Sequence, residues 1–140
     1  MNSTHLKIRN TIGKYLSDNW STTQISWENR EFEAKYVNRF IGVTLLPVDS
    51  RQSVLGTVPL AGERRDYMLV IRIFVPIGNG TKELDEIADS LESLFNRVDL
   101  EIKGENVKIH FGVPMPPANY VASDGRFFQG NMNIPLWVQT

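Results

Sequence analysis

Two histidines, His5 and His110, stand at opposite ends of a 140-residue chain that contains no cysteine. Metal centres and nucleophilic sites draw on His, Cys and carboxylate side chains held together on one element or one loop. Without Cys there is no thiol nucleophile, no disulfide framework and no thiolate zinc site. His110 sits between Ile109 and Phe111 in a short strand pattern and reads as a structural residue. No Gly-x-Ser-x-Gly, no His-Glu-x-x-His and no carboxylate pair with an evident partner occurs. The residues therefore indicate no catalytic, metal or cofactor site, and the chain does not read as an enzyme.

Two other patterns bear on ligand chemistry. The run Gly78-Asn79-Gly80-Thr81-Lys82 follows an apolar strand pattern and opens a helical one, which is where a phosphate could lie. A P-loop, however, needs four residues between its glycines and a Lys directly after the last Gly. Here the loop is shorter and Thr81 precedes Lys82, so it reads as a strand-to-helix turn whose glycines take positive φ. Glu83, Asp85, Glu86, Asp89 and Glu92 crowd the helix that follows. They lack the loop geometry that aims oxygens at one cation, and read as a solvated helix face.

Fifteen Lys and Arg balance sixteen Asp and Glu, for a net charge of -1. With no basic block, tight sequence-independent binding to DNA or to an anionic membrane is not expected, because both require a concentrated positive face. No run approaches the roughly 18 to 20 apolar residues of a membrane span, and the first ten residues carry no apolar signal region. The expected place of synthesis is the cytosol. Apolar residues make up 41% of the chain, enough for a core and too many for intrinsic disorder. One domain spanning 1–140 is the reading that this length supports.

The elements that must position any site follow from hydrophobic spacing. Ile8, Ile12, Tyr15 and Leu16 share one face of a short helix over about 3–18, interrupted by Gly13. A short strand at 25–27 precedes a charged stretch, and the β-branched run at 38–48 predicts a second strand. Residues 49–65, with two Gly, one Pro and three Arg, are too long for a plain turn and predict a functional loop or a hairpin arm. The 67–77 run is the most apolar of the chain. Tyr67, Leu69, Ile71, Ile73 and Val75 alternate with Met68, Val70, Arg72 and Phe74, so both faces of that strand need cover. Leu84, Ile87, Ala88, Leu91, Leu94 and Phe95 give an unbroken helical stripe, with Thr81 placed as its N-cap.

Two short strands around Gly104-Glu105-Asn106, an extended loop forced by Pro114, Pro116 and Pro117, and an alternating strand over 126–138 complete the chain. Pro135 lacks an N–H, which predicts that the last strand is an edge or bulges there. The order predicts an α+β fold, a mainly antiparallel sheet packed against two helices, with a long arm between central strands. Trp20, Trp27, Phe32, Tyr36, Phe40, Tyr120, Phe127 and Trp137 lie near segment ends. They either close the ends of the sandwich or form a subunit interface, where aromatic residues and Arg are enriched.

Several stretches carry a resemblance. The N-terminal helix, Trp27-Glu28-Asn29, the strand FIGVTLLP and the variable arm stand in the family's order. Then come Val75-Pro76-Ile77-Gly78-Asn79-Gly80-Thr81, the Leu/Ala helix with Leu94-Phe95, and a final strand holding Ile134-Pro135-Leu136. Together they resemble the tail terminator proteins of long-tailed bacteriophages, over nearly the whole chain. The resemblance implies a structural subunit of the virion that forms a hexameric ring at the head-proximal end of the tail. That ring stops tail-tube polymerisation and offers a docking surface to the head-side connector, while DNA passes through without specific binding. Its implied partners are further copies of itself, the tail tube protein and the connector. A neck protein that joins head to tail shares such composition and such an arm, and a small ligand-binding domain is the remaining alternative. The residues expected at subunit contacts are Arg51, Leu55, Val58, Arg64 and Arg65 on the arm, with Tyr67, Trp27 and Trp137.

Overall fold

The computed structural model describes residues 4–28, 39–52, 63–78, 80–104, 107–121 and 125–139. Helix α1 (Thr4–Asn19) is followed by strands β1 (Gln24–Ser26), β2 (Phe40–Gln52) and β3 (Glu63–Pro76). Helix α2 (Lys82–Phe95) follows, and then β4 (Asp99–Glu101), β5 (Lys108–Phe111), β6 (Met115–Val121) and β7 (Phe127–Gln139). One sheet holds the seven strands in the order β1-β2-β3-β7-β5-β4, with β6 also on β7. Only β1 runs parallel to its neighbour, and every other pairing is antiparallel. This is the α+β architecture that the element order predicts.

The apolar periods decide which face is covered. Tyr67, Leu69, Ile71, Ile73 and Val75 of β3 are buried together with Ile8, Ile12 and Leu16 of α1 and Leu84, Ile87, Leu91 and Phe95 of α2. Both helices thus share one face of the sheet and one core. Tyr15 donates its hydroxyl to the carbonyl of Leu94 at 2.7 Å, joining α1 to the last turn of α2. Burial pushes its phenol above the ordinary value of 10.0. The ring also meets Phe95 edge to face, with centroids 5.6 Å apart.

The strand-to-helix turn forms as read. Gly78 and Gly80 hold φ of 93° and 77°, and a Cβ at either would meet nothing within 4 Å. Their requirement is therefore one of backbone conformation, not of space. Thr81 occupies the N-cap position, yet its side chain makes no capping bond. The helix start is instead tied by an ion pair between Glu83 and Arg39, the residue before β2.

Two expectations change. The residues read as an extended proline loop form a strand: β6 pairs with β7 from Met115 to Val121, its register shifting between Met115 and Ala118. The irregular step falls at Pro116 and Pro117, which lack the donors a regular ladder requires. Nor is β7 an edge strand, for β3 lies on one side of it and β5 and β6 on the other. Pro135 is accommodated because it faces the gap between the end of β5 and the start of β6, where its carbonyl accepts from Gly112 N–H at 2.8 Å. The arm is, in its described part, a continuation of the β2–β3 hairpin, with Asp49 opposite Asp66 and Gln52 opposite Glu63. Residues 53–62 lie outside the described part.

Two variants check this packing. A Cβ on Gly130 of β7 would come within 2.9 Å of the buried Leu84 and 2.8 Å of Asn119 Oδ1, so Gly130→Ala should cost about 1–3 kcal/mol in denaturant unfolding. Tyr15→Phe removes the bond to Leu94 and should cost about 1 kcal/mol at neutral pH. Because the folded state raises the Tyr15 pKa, its contribution is full below the unfolded value near 10 and falls as pH rises through the folded one. Wild-type stability should therefore drop more steeply above pH 10 than that of Tyr15→Phe.

Candidate functional site

The face of the sheet turned away from the helices carries the residues that could meet another protein. Cross-strand register lines them up: Thr44, Val70 and Asn133 in one row, Leu46, Met68 and Pro135 in the next. These side chains are half-buried or exposed, with Leu46 47% accessible. Near its middle the Arg72 guanidinium lies over Gly42, whose missing side chain makes the room, and Nη2 reaches Thr44 Oγ1 at 3.4 Å. Arg72 Nε is buried with no hydrogen-bond partner. At one end Phe40 stacks on Phe74 at 4.4 Å, and Phe127 meets both edge to face. Phe40 and Phe127 close that end of the sheet, which is the structural role open to them from sequence.

At the other end a chain of charged and aromatic groups crosses four strands. Asp99 of β4 lies opposite His110 of β5, and His110 opposite Trp137 of β7. His110 Nδ1 is 2.9 Å from Asp99 Oδ1, and its ring stacks on Trp137 at 4.7 Å. The Arg64 guanidinium of β3 sits 5.0 Å from the Trp137 ring and gives its Nε–H to Asp66 at 2.9 Å. The His110 ring stacks on the indole from β5 and the Arg64 guanidinium lies over it from β3, a platform of aromatic and cationic groups on the open face. Arg and Trp are the side chains that most often dominate protein contacts.

The free edge of β2 forms a third feature. Strand β1 pairs only with residues Phe40, Ile41 and Gly42. Among the described residues no strand lies against β2 beyond that point on the side away from β3. At Leu45 two side chains take the place of a strand: Glu28 Oε1 accepts the backbone N–H at 3.1 Å, and Arg9 Nη2 donates to the carbonyl at 3.2 Å. Arg9 and Glu28 are themselves paired at 2.5 Å. An exposed ion pair contributes at most about 1 kcal/mol. Its larger effect is to satisfy an edge that would otherwise invite pairing. The groove beside it, about 560 Å³ between α1 and β2, has Ile12, Trp27, Val43 and Leu69 in its lining.

The residues expected at contacts separate into groups. Arg64 and Trp137 come together on the open face. Arg65 lies at the α1 side, its Nη1 3.5 Å from His5 Nε2. Tyr67 is 3% exposed, in the core, with its hydroxyl 2.5 Å from His5 Nδ1. Trp27 is half-buried against the core, facing Gly13 across the groove. Arg51 is placed by register opposite Arg64, while Leu55 and Val58 lie outside the described residues. Of the remaining aromatics, Trp20 is buried and donates to Thr23 Oγ1 at 3.0 Å, and Phe32 and Tyr36 lie outside the described residues. Sequence reasoning missed Arg72, the His110–Asp99 pair and the Arg9–Glu28 pair. Only the inward or outward parity of Arg72 and His110 signalled them.

No helix among the described residues is long and apolar enough to cross a membrane. No curated protein matches the chain. Several solved structures match, and one of them superposes with a TM-score of 0.70, covering 99% of this chain and 96% of its own, at 15% identity, a likeness that speaks for the fold alone. The model of one protein family, described as phage tail terminator protein, matches residues 7–121. That span runs from α1 to the end of β6 and takes in the open β2 edge, the arm and the helix α2 turn. The chain therefore belongs to the phage tail terminator family, a family of structural tail proteins and not of enzymes.

Proposed function

We propose that the protein caps the phage tail tube as a ring of identical subunits, ends tube polymerisation and presents a surface on which the head-side connector docks. The family match over residues 7–121 carries this reading. A six-subunit ring is the form that the sequence resemblance implies. Its partners are then copies of itself, the tube protein below and the connector above, at the head-proximal end of the virion tail.

The physical features support such a role. A cyclic ring requires heterologous contacts, in which one patch of a subunit meets a different patch of the next. The helices leave one sheet face open, and that face carries the Trp137–Arg64 platform. The arm at 49–65, with Arg51, Leu55, Val58, Arg64 and Arg65, contacts the neighbouring subunit or the tube ring. A net charge of -1 suits a ring that surrounds DNA without retaining it, since a strongly basic lumen would hold phosphates by counterion release. The whole 140-residue chain acts as one unit in this assembly.

Electron microscopy of tails made with and without the protein tests the reading. Termination predicts long, unregulated tubes in its absence, whereas tails of normal length that fail to join heads would establish a neck-joining role instead. Replacing residues 53–62 by Asn-Gly, a two-residue turn suited to the Gln52–Glu63 register, should leave a folded chain that no longer caps tubes. Infectious tails of normal length from that variant would remove the arm from the account.

A further inference from the structure

We propose that Arg72, near the middle of the open sheet face, is the receiving site for one carboxylate, an Asp or Glu side chain that a neighbouring tail subunit presents from an otherwise apolar surface. The inference rests on the ring reading and names the chemistry of one of its contacts. Arg72 is half-buried on β3, and its one polar contact among the described residues is Thr44 Oγ1 at 3.4 Å. That distance is beyond the usual range of an N–H···O bond. Its Nε is buried without a partner. A guanidinium carries five donors, and leaving them unmet in a partly dry place is unfavourable.

The cross-strand rows around Arg72 supply no carboxylate. Its own row is Gly42, Arg72, Asn131 and Ala118, with no second charge. On one side stand Phe40, Phe74 and Gln129, on the other Thr44, Val70, Asn133 and Met115, and beyond these Leu46, Met68 and Pro135. The first carboxylate along this face of β3 is Asp66, about 20 Å away at the strand rise, and it already accepts from Arg64. Arg72 is also held loosely. Its guanidinium rests over Gly42, where a Cβ would come within 3.1 Å of Nη2 and 3.3 Å of Nε. With Nε unbonded and Nη2 at long range, little is lost when the side chain lifts from Gly42 to meet an acceptor.

The surroundings select a protein carboxylate over a DNA phosphate. A duplex presents a charge about every 1.7 Å along its axis and is held by many cations in series. Arg72 stands alone among apolar and amide side chains, in a chain whose net charge is -1. The planar guanidinium fork matches the two oxygens of a single carboxylate. Met115 and Leu46, 46% and 47% exposed, lie one and two rows away and offer apolar contact around it. An Arg ringed by side chains that exclude water is where a protein contact draws most from a charge.

Two arms test the site separately from the ring. In the isotope-labelled full-length chain the Arg72 Nε–H resonance reports on the free protein, and the probes are the peptide acetyl-Leu-Glu-Leu-amide, its Leu-Gln-Leu counterpart and a short DNA duplex. The Glu peptide should shift this resonance with saturation, and the other two should not. No shift, or an equal response to the Gln peptide or to DNA, overturns the proposal. In the second arm Arg72→Met keeps the length of the side chain without its charge. It should melt no lower than wild type, since a poorly partnered guanidinium is gone, while the concentration needed to cap tubes rises roughly tenfold or more. Arg72→Lys, with the charge but not the fork, should fall between the two. If Arg72→Met caps like wild type, or melts lower in proportion to its loss of capping, the site is wrong and the ring reading stands. If the wild-type chain caps no tubes, the ring reading falls and the peptide titration alone decides the site.

Discussion

Strand β3 is the constraint on which the rest depends. It is held along its length between β2 and β7, with Arg64 to Pro76 in register against β7 and Glu63 to Phe74 against β2. Its inward residues must be buried, and the two helices supply that cover on one face only. Everything else is placed by this ladder: the arm continues its β2 pairing, the Trp137 platform lies across from Asp66, and Arg72 projects from its open side. A one-residue slip would turn Ile71 and Ile73 outward and put Arg72 into the core. The register is thus fixed by burial, and it fixes the open face in turn.

The molecule divides its surfaces by this asymmetry. The helix-covered face is closed by large side chains, among them Leu16, Leu91 and Phe95 with no measurable exposure. On the outer face Thr44, Asn131, Asn133, and Trp137 beneath a guanidinium lie beyond a cluster of Phe40, Phe74 and Phe127 at one end. The exposed acidic side of α2 points to solvent. The proposed ring role would need such a division, because a single patch must be good enough to bind a copy and poor enough not to bind everything. Short edge strands, Pro47, Pro116 and Pro117, and the Arg9–Glu28 plug limit where pairing can begin.

Much of this was legible before any coordinates. The helix stripes of α1 and α2, the two-faced β3 run and the glycine turn each follow from a local period or a local conformational need. Strand β6 was not legible, because two adjacent prolines argue against a strand unless the sequence also reveals the irregular register that absorbs them. Pro135 misled for the complementary reason: its missing N–H faces a gap between two other strands, which no local pattern reports. The Arg9–Glu28–Leu45 contact joins residues 36 apart at its widest, so tertiary placement alone reveals it. Arg64 and Trp137 were named for their residue types, and what the fold adds is that they touch. Tyr67 was named for its position, yet strand parity turns it into the core.

The central claim is that the helical face serves the subunit and the sheet edges and open face serve the assembly. Hydrogen exchange compared between the free chain and the same chain on capped tails tests it most directly. The account predicts new protection at residues 43–48 of β2, the part of its edge that β1 leaves open, with amides of α2 unchanged. Protection gained along α2 while this edge keeps exchanging as in the free chain would contradict it.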